Sequence, residues 1–267
     1  MSGAGNDFIV LGPEESRRLG IDAPSWARRV CRRGLSVGAD GVLLVVPSGP
    51  GSIRVTFLNP DGVEAFCGNG SRCAARFAVL RGIAGRTLTL ETPLGPLAAE
   101  VRDDVVRVEL PLPQDLGARS VEALGTRFDG RLVVAGVPHF LVPVASIDGA
   151  PLGEWGPRLR HHPAFLPEGT NVDLVESREG AIAIRTYERG VEGETLSCGS
   201  GAVAAAWARR AEAPGVGPIT VLPRSGIALR VDFAGPPACP VAAVLEGDAR
   251  VVFEGELSDE ALSGWPA

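Results

Sequence analysis

Two copies of one short motif constrain this chain more than any other feature. Cys67-Gly68-Asn69-Gly70 opens the small-residue run Ser71 to Ala78, and Cys198-Gly199-Ser200-Gly201 opens the run Ala202 to Ala208. The two cysteines stand 131 positions apart (198 − 67). The same offset lays Gly5 on Gly136, Gly38 on Gly169 and Asp40 on Asn171, and a one-residue adjustment lays Phe57-Leu58-Asn59 on Tyr187-Glu188-Arg189. Matches at one offset across most of a half-chain read as a duplication in which each half carries one Cys-Gly-x-Gly helix start. In such a turn the glycines bring backbone N–H groups close to a ligand. The helix dipole favours thiolate at its N-terminus, and the free N–H groups can hold a carboxylate.

The duplication also decides the domain count. A length of 267 residues allows one large domain or two; the repeat selects two halves, 1–112 and 113–267, divided at Pro111-Leu112-Pro113-Gln114. The last ten residues are expected to fray or to pack back on the first half. Strands are expected at 8–11, 42–46, 53–58, 87–92, 97–101 and 105–110, with a Pro/Gly/Ser loop at 47–52 and a helix at 24–33. In the second half they are expected near 131–135, 139–144, 171–176, 181–187, 219–222, 226–233 and 241–253. The motif helices run to about 81 and over about 199–212. The pattern is α+β: two domains from a duplicated half, each a strand-rich sheet wrapped around a central helix.

Composition closes several routes. A net charge of −6 argues against a nucleic-acid surface. No apolar run reaches the roughly 18 residues that span a bilayer, and no signal peptide precedes the first motif, so a cytoplasmic protein is expected. Five cysteines without regular spacing do not form a secreted disulfide framework. The chain has no lysine, so pyridoxal phosphate cannot be held as a Schiff base. No cofactor is expected. Cys31, Cys73 and Cys239 read as structural or surface thiols. With no paired ligands near Cys239, and His161 and His162 in a Pro-containing surface loop, no metal site is expected.

Two thiols at helix starts suit a transfer of one proton between opposite faces of a carbon. One thiolate removes the α-proton of an amino acid, and the opposite thiol returns a proton to the other face. N–H donors on the substrate carboxylate in a dry cleft would lower the barrier, and sulfur can be tuned toward the operating pH.

Asn59-Pro60-Asp61-Gly62 leading to the first motif, and Arg185-Thr186-Tyr187-Glu188-Arg189-Gly190-Val191-Glu192 leading to the second, resemble the diaminopimelate epimerase family. The likeness runs from Gly3-Ala4-Gly5-Asn6-Asp7-Phe8 to the C-terminal strands. It implies two pseudo-symmetric domains with the active site in the cleft between them, and a cofactor-independent isomerase that interconverts LL- and meso-diaminopimelate for lysine and peptidoglycan synthesis. By this resemblance Cys67 and Cys198 are base and acid, and Gly68, Asn69, Gly199 and Ser200 offer donors to the carboxylate at the reacting centre. Asn6, Asn59, Asn171 and Arg189 would hold the distal amino-acid end, arginine by its planar fork. Glu188 and His139 would tune the thiols or bind the α-amino group. Asn59 and Asn171 also read as turn residues, and His139 as a satisfied core histidine. The sequence departs from the family at Val137, where many members have asparagine, and at Gly41, where some have glutamine. It also begins close to the Gly-Ala-Gly turn, so part of the usual first strand is expected to be absent. Val137 keeps a two-cysteine racemase of another amino acid open; a thiol redox protein is a weaker alternative, since no two cysteines are spaced by two residues. The partner is a small amino acid, and a homodimer is the expected assembly, although no sequence feature fixes it.

Overall fold

The computed structural model describes residues 1–213 and 217–262. The chain divides into two units: Met1–Val108 joined by the stretch from Gly247 onward, and Glu109–Glu246. The first unit runs β1 (Ser2–Gly3), β2 (Asn6–Leu11), α1 (Pro13–Leu19), α2 (Ala23–Val30), β3 (Gly41–Gly49), β4 (Ser52–Leu58), β5 (Glu64–Ala65), α3 (Gly68–Leu80), β6 (Thr87–Thr92), β7 (Gly95–Arg102) and β8 (Val105–Leu110). The second runs β9 (Gln114–Ala123), β10 (Thr126–Ala135), β11 (Val137–Pro143), α4 (Leu152–Arg160), β12 (Asn171–Arg178), β13 (Ala181–Glu188), β14 (Gly193–Thr195), α5 (Gly199–Glu212), β15 (Ile219–Leu222), β16 (Leu229–Ala234) and β17 (Ala242–Asp248).

The two units share one pairing scheme. In the first, β2 is parallel to β3, β3 antiparallel to β4, and β4 parallel to β6, after which β7 and β8 follow antiparallel. In the second, β11 is parallel to β12, β12 antiparallel to β13, and β13 parallel to β15, followed by antiparallel β16 and β17. Both duplicated glycine pairs, Gly5 with Gly136 and Gly38 with Gly169, have φ between 68° and 100°, where a side chain would be strained. The expected α+β plan with a duplicated half is therefore present.

Strand alternation decides what each helix meets. In the first unit Val42, Leu44 and Leu58 pack with Ala27 and Val30 of α2, whereas Leu43 and Phe8 lie beside Gly70 at the start of α3. In the second, Phe140, Val172, Leu174 and Tyr187 pack with Leu152 and Leu159 of α4; their odd-numbered or even-numbered neighbours on each strand face α5. The sheets are thus covered on both faces, and the motif helices are buried along Ala74, Ala75 and Ala78 and along Ala202 to Ala206.

Several elements differ from expectation. β3 continues through Pro47 to Gly49, with a register shift after Pro47, so the expected loop shrinks to a turn at 50–51. Helix α4 contains Gly153, Gly156 and Pro157, a composition that argues against helix; Leu152 and Leu159 in the core and Trp155 edge-on to Phe128 hold it. α1 and β9 are also additions. β17 ends at Asp248 rather than 253. There the chain leaves to bond with the first unit: Arg250 exchanges backbone hydrogen bonds with Ser2, at 2.7 and 2.8 Å, and Ala249 N–H donates to Asp104. That is why residues from 247 onward group with the first half rather than with 113–246. Of the last ten residues, 263–267 lie outside the described residues, while Leu262 packs against the α2 cluster. No helix among the described residues is long and apolar enough to cross a membrane.

Gly41 has no room for a side chain. A Cβ there would lie 2.3 Å from Phe57 Cε2 and 2.7 Å from the Leu58 carbonyl oxygen. Gly41→Gln should therefore cost about 2 kcal/mol through overpacking, roughly 4–8 °C in Tm; a melting midpoint equal to that of the unaltered chain would refute this packing.

Candidate active site

Each motif cysteine is the N-cap of its helix, with extended backbone (φ −139° at Cys67, −119° at Cys198). In the first unit the Gly70 N–H donates to Cys67 Sγ at 3.3 Å, a contact that places a helix-start donor on the sulfur. Asn6 Oδ1 accepts from Cys67 Sγ at 3.6 Å and from Asn69 Nδ2 at 3.4 Å. The Asn6 amide is oriented from behind, because its Nδ2 donates to Asp40 Oδ2 at 2.5 Å. Asn69 is held by Arg72, whose Nη1 donates to Asn69 Oδ1 at 3.0 Å. Arg72 is fully buried. Its Nε donates to the Asp248 carbonyl at 3.3 Å, and its Nη2 has no hydrogen-bond partner among the described residues. A guanidinium is thus set into the interior behind the first thiol.

In the second unit Cys198 Sγ lies 3.4 Å from Ser200 Oγ. Ser200 Oγ lies 3.0 Å from His139 Nε2, and His139 Nδ1 lies 2.7 Å from Asp173 Oδ2. Thr186 Oγ1 donates to Asp173 Oδ1 at 2.7 Å. His139 and Asp173 are completely inaccessible to solvent. Glu188, at the end of β13, accepts from Thr195 Oγ1 at 2.6 Å and lies close enough to Cys198 for each to act on the other's charge. Burial raises the Glu188 carboxyl above the usual carboxylate range. Burial, followed by the nearby Glu188 and Asp173 charges, pushes the Cys198 thiol well above its ordinary value, so without ligand it is held as the protonated form.

The structure gathers Cys67, Gly68, Asn69 and Asn6 at one helix start, and Cys198, Gly199, Ser200, His139 and Glu188 at the other. Asn171 and Arg189 form a separate pair, with Arg189 N–H donating to Asn171 Oδ1 at 2.8 Å and Asn171 Nδ2 to the Pro138 carbonyl at 3.0 Å. Asn59 shapes the turn after β4, its N–H bonded to Val63 and its carbonyl to Gly62. Cys31 and Cys73 are buried, each pushed up to about 12 by burial, and Cys239 is exposed. Among the described residues no group of three or more His, Cys, Asp or Glu is placed to hold a metal. Sequence reasoning passed over Asp40, Arg72, Asp173 and Thr186. The available signal was a charged residue inside an apolar run, as in Val172-Asp173-Leu174, which a strand covered on both faces does not tolerate unpaired.

The diaminopimelate epimerase family model matches residues 1–111 and 131–249. A diaminopimelate epimerase of Aquifex aeolicus (strain VF5) is 38% identical over 275 residues, covering 98% of both chains. One from Archaeoglobus fulgidus is also 38% identical over 275 residues, covering 96% of this chain and 94% of that protein. Among solved structures, a probable proline racemase from Agrobacterium radiobacter K84 superposes with a TM-score of 0.70 at 20% identity, covering 92% of this chain and 88% of that one. A PhzF-family protein from Enterococcus faecalis gives 0.66 at 15% identity, covering 97% and 100%; at these identities the likeness is one of fold.

The carboxylate beside Cys198 raises its pKa, so removing that charge lowers it. Glu188→Gln should move the midpoint of the Cys198 alkylation profile to lower pH and speed labelling several-fold at pH 8. Peptide-resolved iodoacetamide kinetics would show this, and an unmoved midpoint would dismiss Glu188 as a source of the shift.

Proposed function

The chain belongs to the diaminopimelate epimerase family, and from that premise we propose that it interconverts LL- and meso-diaminopimelate with Cys67 and Cys198 as its two acid/base groups. The observation that carries the reading is the repeated helix start: two duplicated units each present one N-cap thiol beside backbone N–H donors and a hydrogen-bonded amide or imidazole. Inversion of an α-carbon requires one base to take the proton and an acid of equal kind to return it from the other face. Thiols serve either role, and a protonated Cys198 is ready to donate. The N–H groups at 68–70 and 199–201 would stabilise the substrate carboxylate as the α-carbon becomes carbanionic. Asn6, Asn59, Asn171 and Arg189 would read the distal end, and Glu188 and His139 would set the charge around the thiols.

Without lysine the chain cannot form an internal Schiff base, so the reaction proceeds without pyridoxal phosphate. Free thiols suit the reducing cytoplasm, and the product serves lysine and peptidoglycan precursor synthesis. A homodimer is our expectation for the assembly. Val137, half-buried at the start of β11, supports a narrower second reading in which another amino acid replaces diaminopimelate on the same machinery.

Incubation of the reduced enzyme with LL-diaminopimelate in deuterated water, without added cofactor, should place deuterium at one α-position by NMR. Cys67→Ala and Cys198→Ala should each lower the inversion rate at least about 10²-fold. Deuterium entry into another amino acid but not diaminopimelate would favour the second reading, and exchange into neither would sink both.

A further inference from the structure

The pairing schemes of the two units define which side chains stand in equivalent places. β2 and β11 match at 131 positions, β3 and β12 at 130, and β4 and β13 at 129, since Val42, Leu44 and Leu58 face α2 as Val172, Leu174 and Tyr187 face α4. This moves the earlier alignment by one place, setting Leu58, not Phe57, on Tyr187. The side chains under the two motif helices then pair as Phe8 with His139, Leu43 with Asp173 and Phe57 with Thr186. In the first unit they form an apolar seat: Phe8 and Leu43 meet the helix at Gly70, and the Phe8 and Phe57 rings stand edge to face at 5.8 Å. In the second, His139, Asp173 and Thr186 lie under Gly201, within 2.7–3.4 Å of where its Cβ would stand. The fold therefore does not need polar groups here. It seats an equivalent helix on two phenylalanines and a leucine.

We propose that Asp173 and Thr186 are positioning residues that hold His139 in its Nδ1–H tautomer, leaving Nε2 as the end of a proton relay through Ser200 to Cys198. The inference deepens the epimerase reading and rests on it for its use in catalysis. The directions follow from chemistry. An ionised carboxylate only accepts, so Asp173 Oδ2 accepts a hydrogen bond from Nδ1–H, and its Oδ1 is occupied by the Thr186 hydroxyl. Nε2 of neutral His139 must then face Ser200 as an acceptor. Ser200 donates to it, and the Ser200 oxygen accepts from the Cys198 thiol. When Cys198 acts as base, its proton passes to Ser200 Oγ as the Ser200 proton passes to Nε2. Thiolate and imidazolium form together, no charge is lost or gained, and the Asp173 carboxylate faces the imidazolium. The other groups facing this relay are Glu188 and Thr186 from β13.

Asp173→Asn should reverse the tautomer. Thr186 keeps donating to the amide oxygen, so the amide nitrogen donates to Nδ1 and drives the proton to Nε2. Long-range ¹H–¹⁵N NMR of the imidazoles reads this directly. The chain has three histidines, and His161→Gln and His162→Gln assign the other two. The unaltered protein should show neutral His139 protonated at Nδ1, Asp173→Asn should show Nε2–H, and Asp173→Asn with Thr186→Val should return toward Nδ1–H. Asp173→Asn should lower kcat about 10²-fold with KM nearly unchanged. The variant copying the first unit, His139→Phe with Asp173→Leu and Thr186→Phe, should fold with a Tm at or above that of the unaltered chain and lose at least 10²-fold in rate. His139 protonated at Nε2 in the unaltered protein, or wild-type kcat in the folded triple variant, would overturn the proposal. The predicted tautomers in a chain that exchanges no deuterium into diaminopimelate would fault the activity reading and leave the tautomer lock standing.

Discussion

The architecture around both motif cysteines depends on a close approach between helix and sheet at the third residue of α3 and of α5. A Cβ at Gly70 would stand 3.1 Å from Leu43, and one at Gly201 would stand 2.7 Å from the Asp173 carboxylate. A side chain at either position would make its neighbour shift or lift the helix start. With the start lowered, Cys67 and Cys198 fall at N-cap positions against the sheet surface, and the Gly70 N–H reaches the Cys67 sulfur. The Ala-rich runs that follow are the continuation of the same requirement, since larger side chains would lift the helix off the strands. The motif is thus a packing device before it is a chemical one, which is why glycine and alanine surround both cysteines.

That origin explains what the sequence made legible. The Cys-Gly-x-Gly pairs, the offset of 131 at β2 with β11 and at the motif helices, and the boundaries of α3, β6, β8, α5 and β15 are local signals and match the structure closely. The elements that were not legible are held by tertiary contacts that oppose local preference. α4 carries two glycines and a proline and is helical because Leu152 and Leu159 are buried. The alignment of Phe57 with Tyr187 failed by one residue because the connections between β2 and β4 and between β11 and β13 differ in length. In a strand a slip of one residue exchanges the two faces. The slip therefore separates the polar trio under α5, since at a single offset of 131 or 130 Asp173 and Thr186 do not both fall on Leu43 and Phe57 beside Phe8 and His139.

A duplicated scaffold would by itself deliver two thiols in equal surroundings, and equal surroundings suit a two-base reaction poorly. Transfer of one proton between two sulfurs begins with one ionised and the other protonated. A pair with no preference spends much of its time with both protonated or both ionised, and neither can start the cycle. The side chains added to each unit break this equality. Behind Cys67 lies the buried guanidinium of Arg72, a position held in the second unit by Val203. Around Cys198 lie the carboxylates of Glu188 and Asp173, and the thiol there is pushed upward. Arg72 near one sulfur and the Glu188 and Asp173 carboxyls near the other make the surroundings of the two thiols unequal, while burial lowers the Arg72 pKa and raises that of Glu188. The cost of burying Arg72, Asp173 and His139 falls on residues that the repeated fold does not require, since each has an apolar counterpart in the other unit.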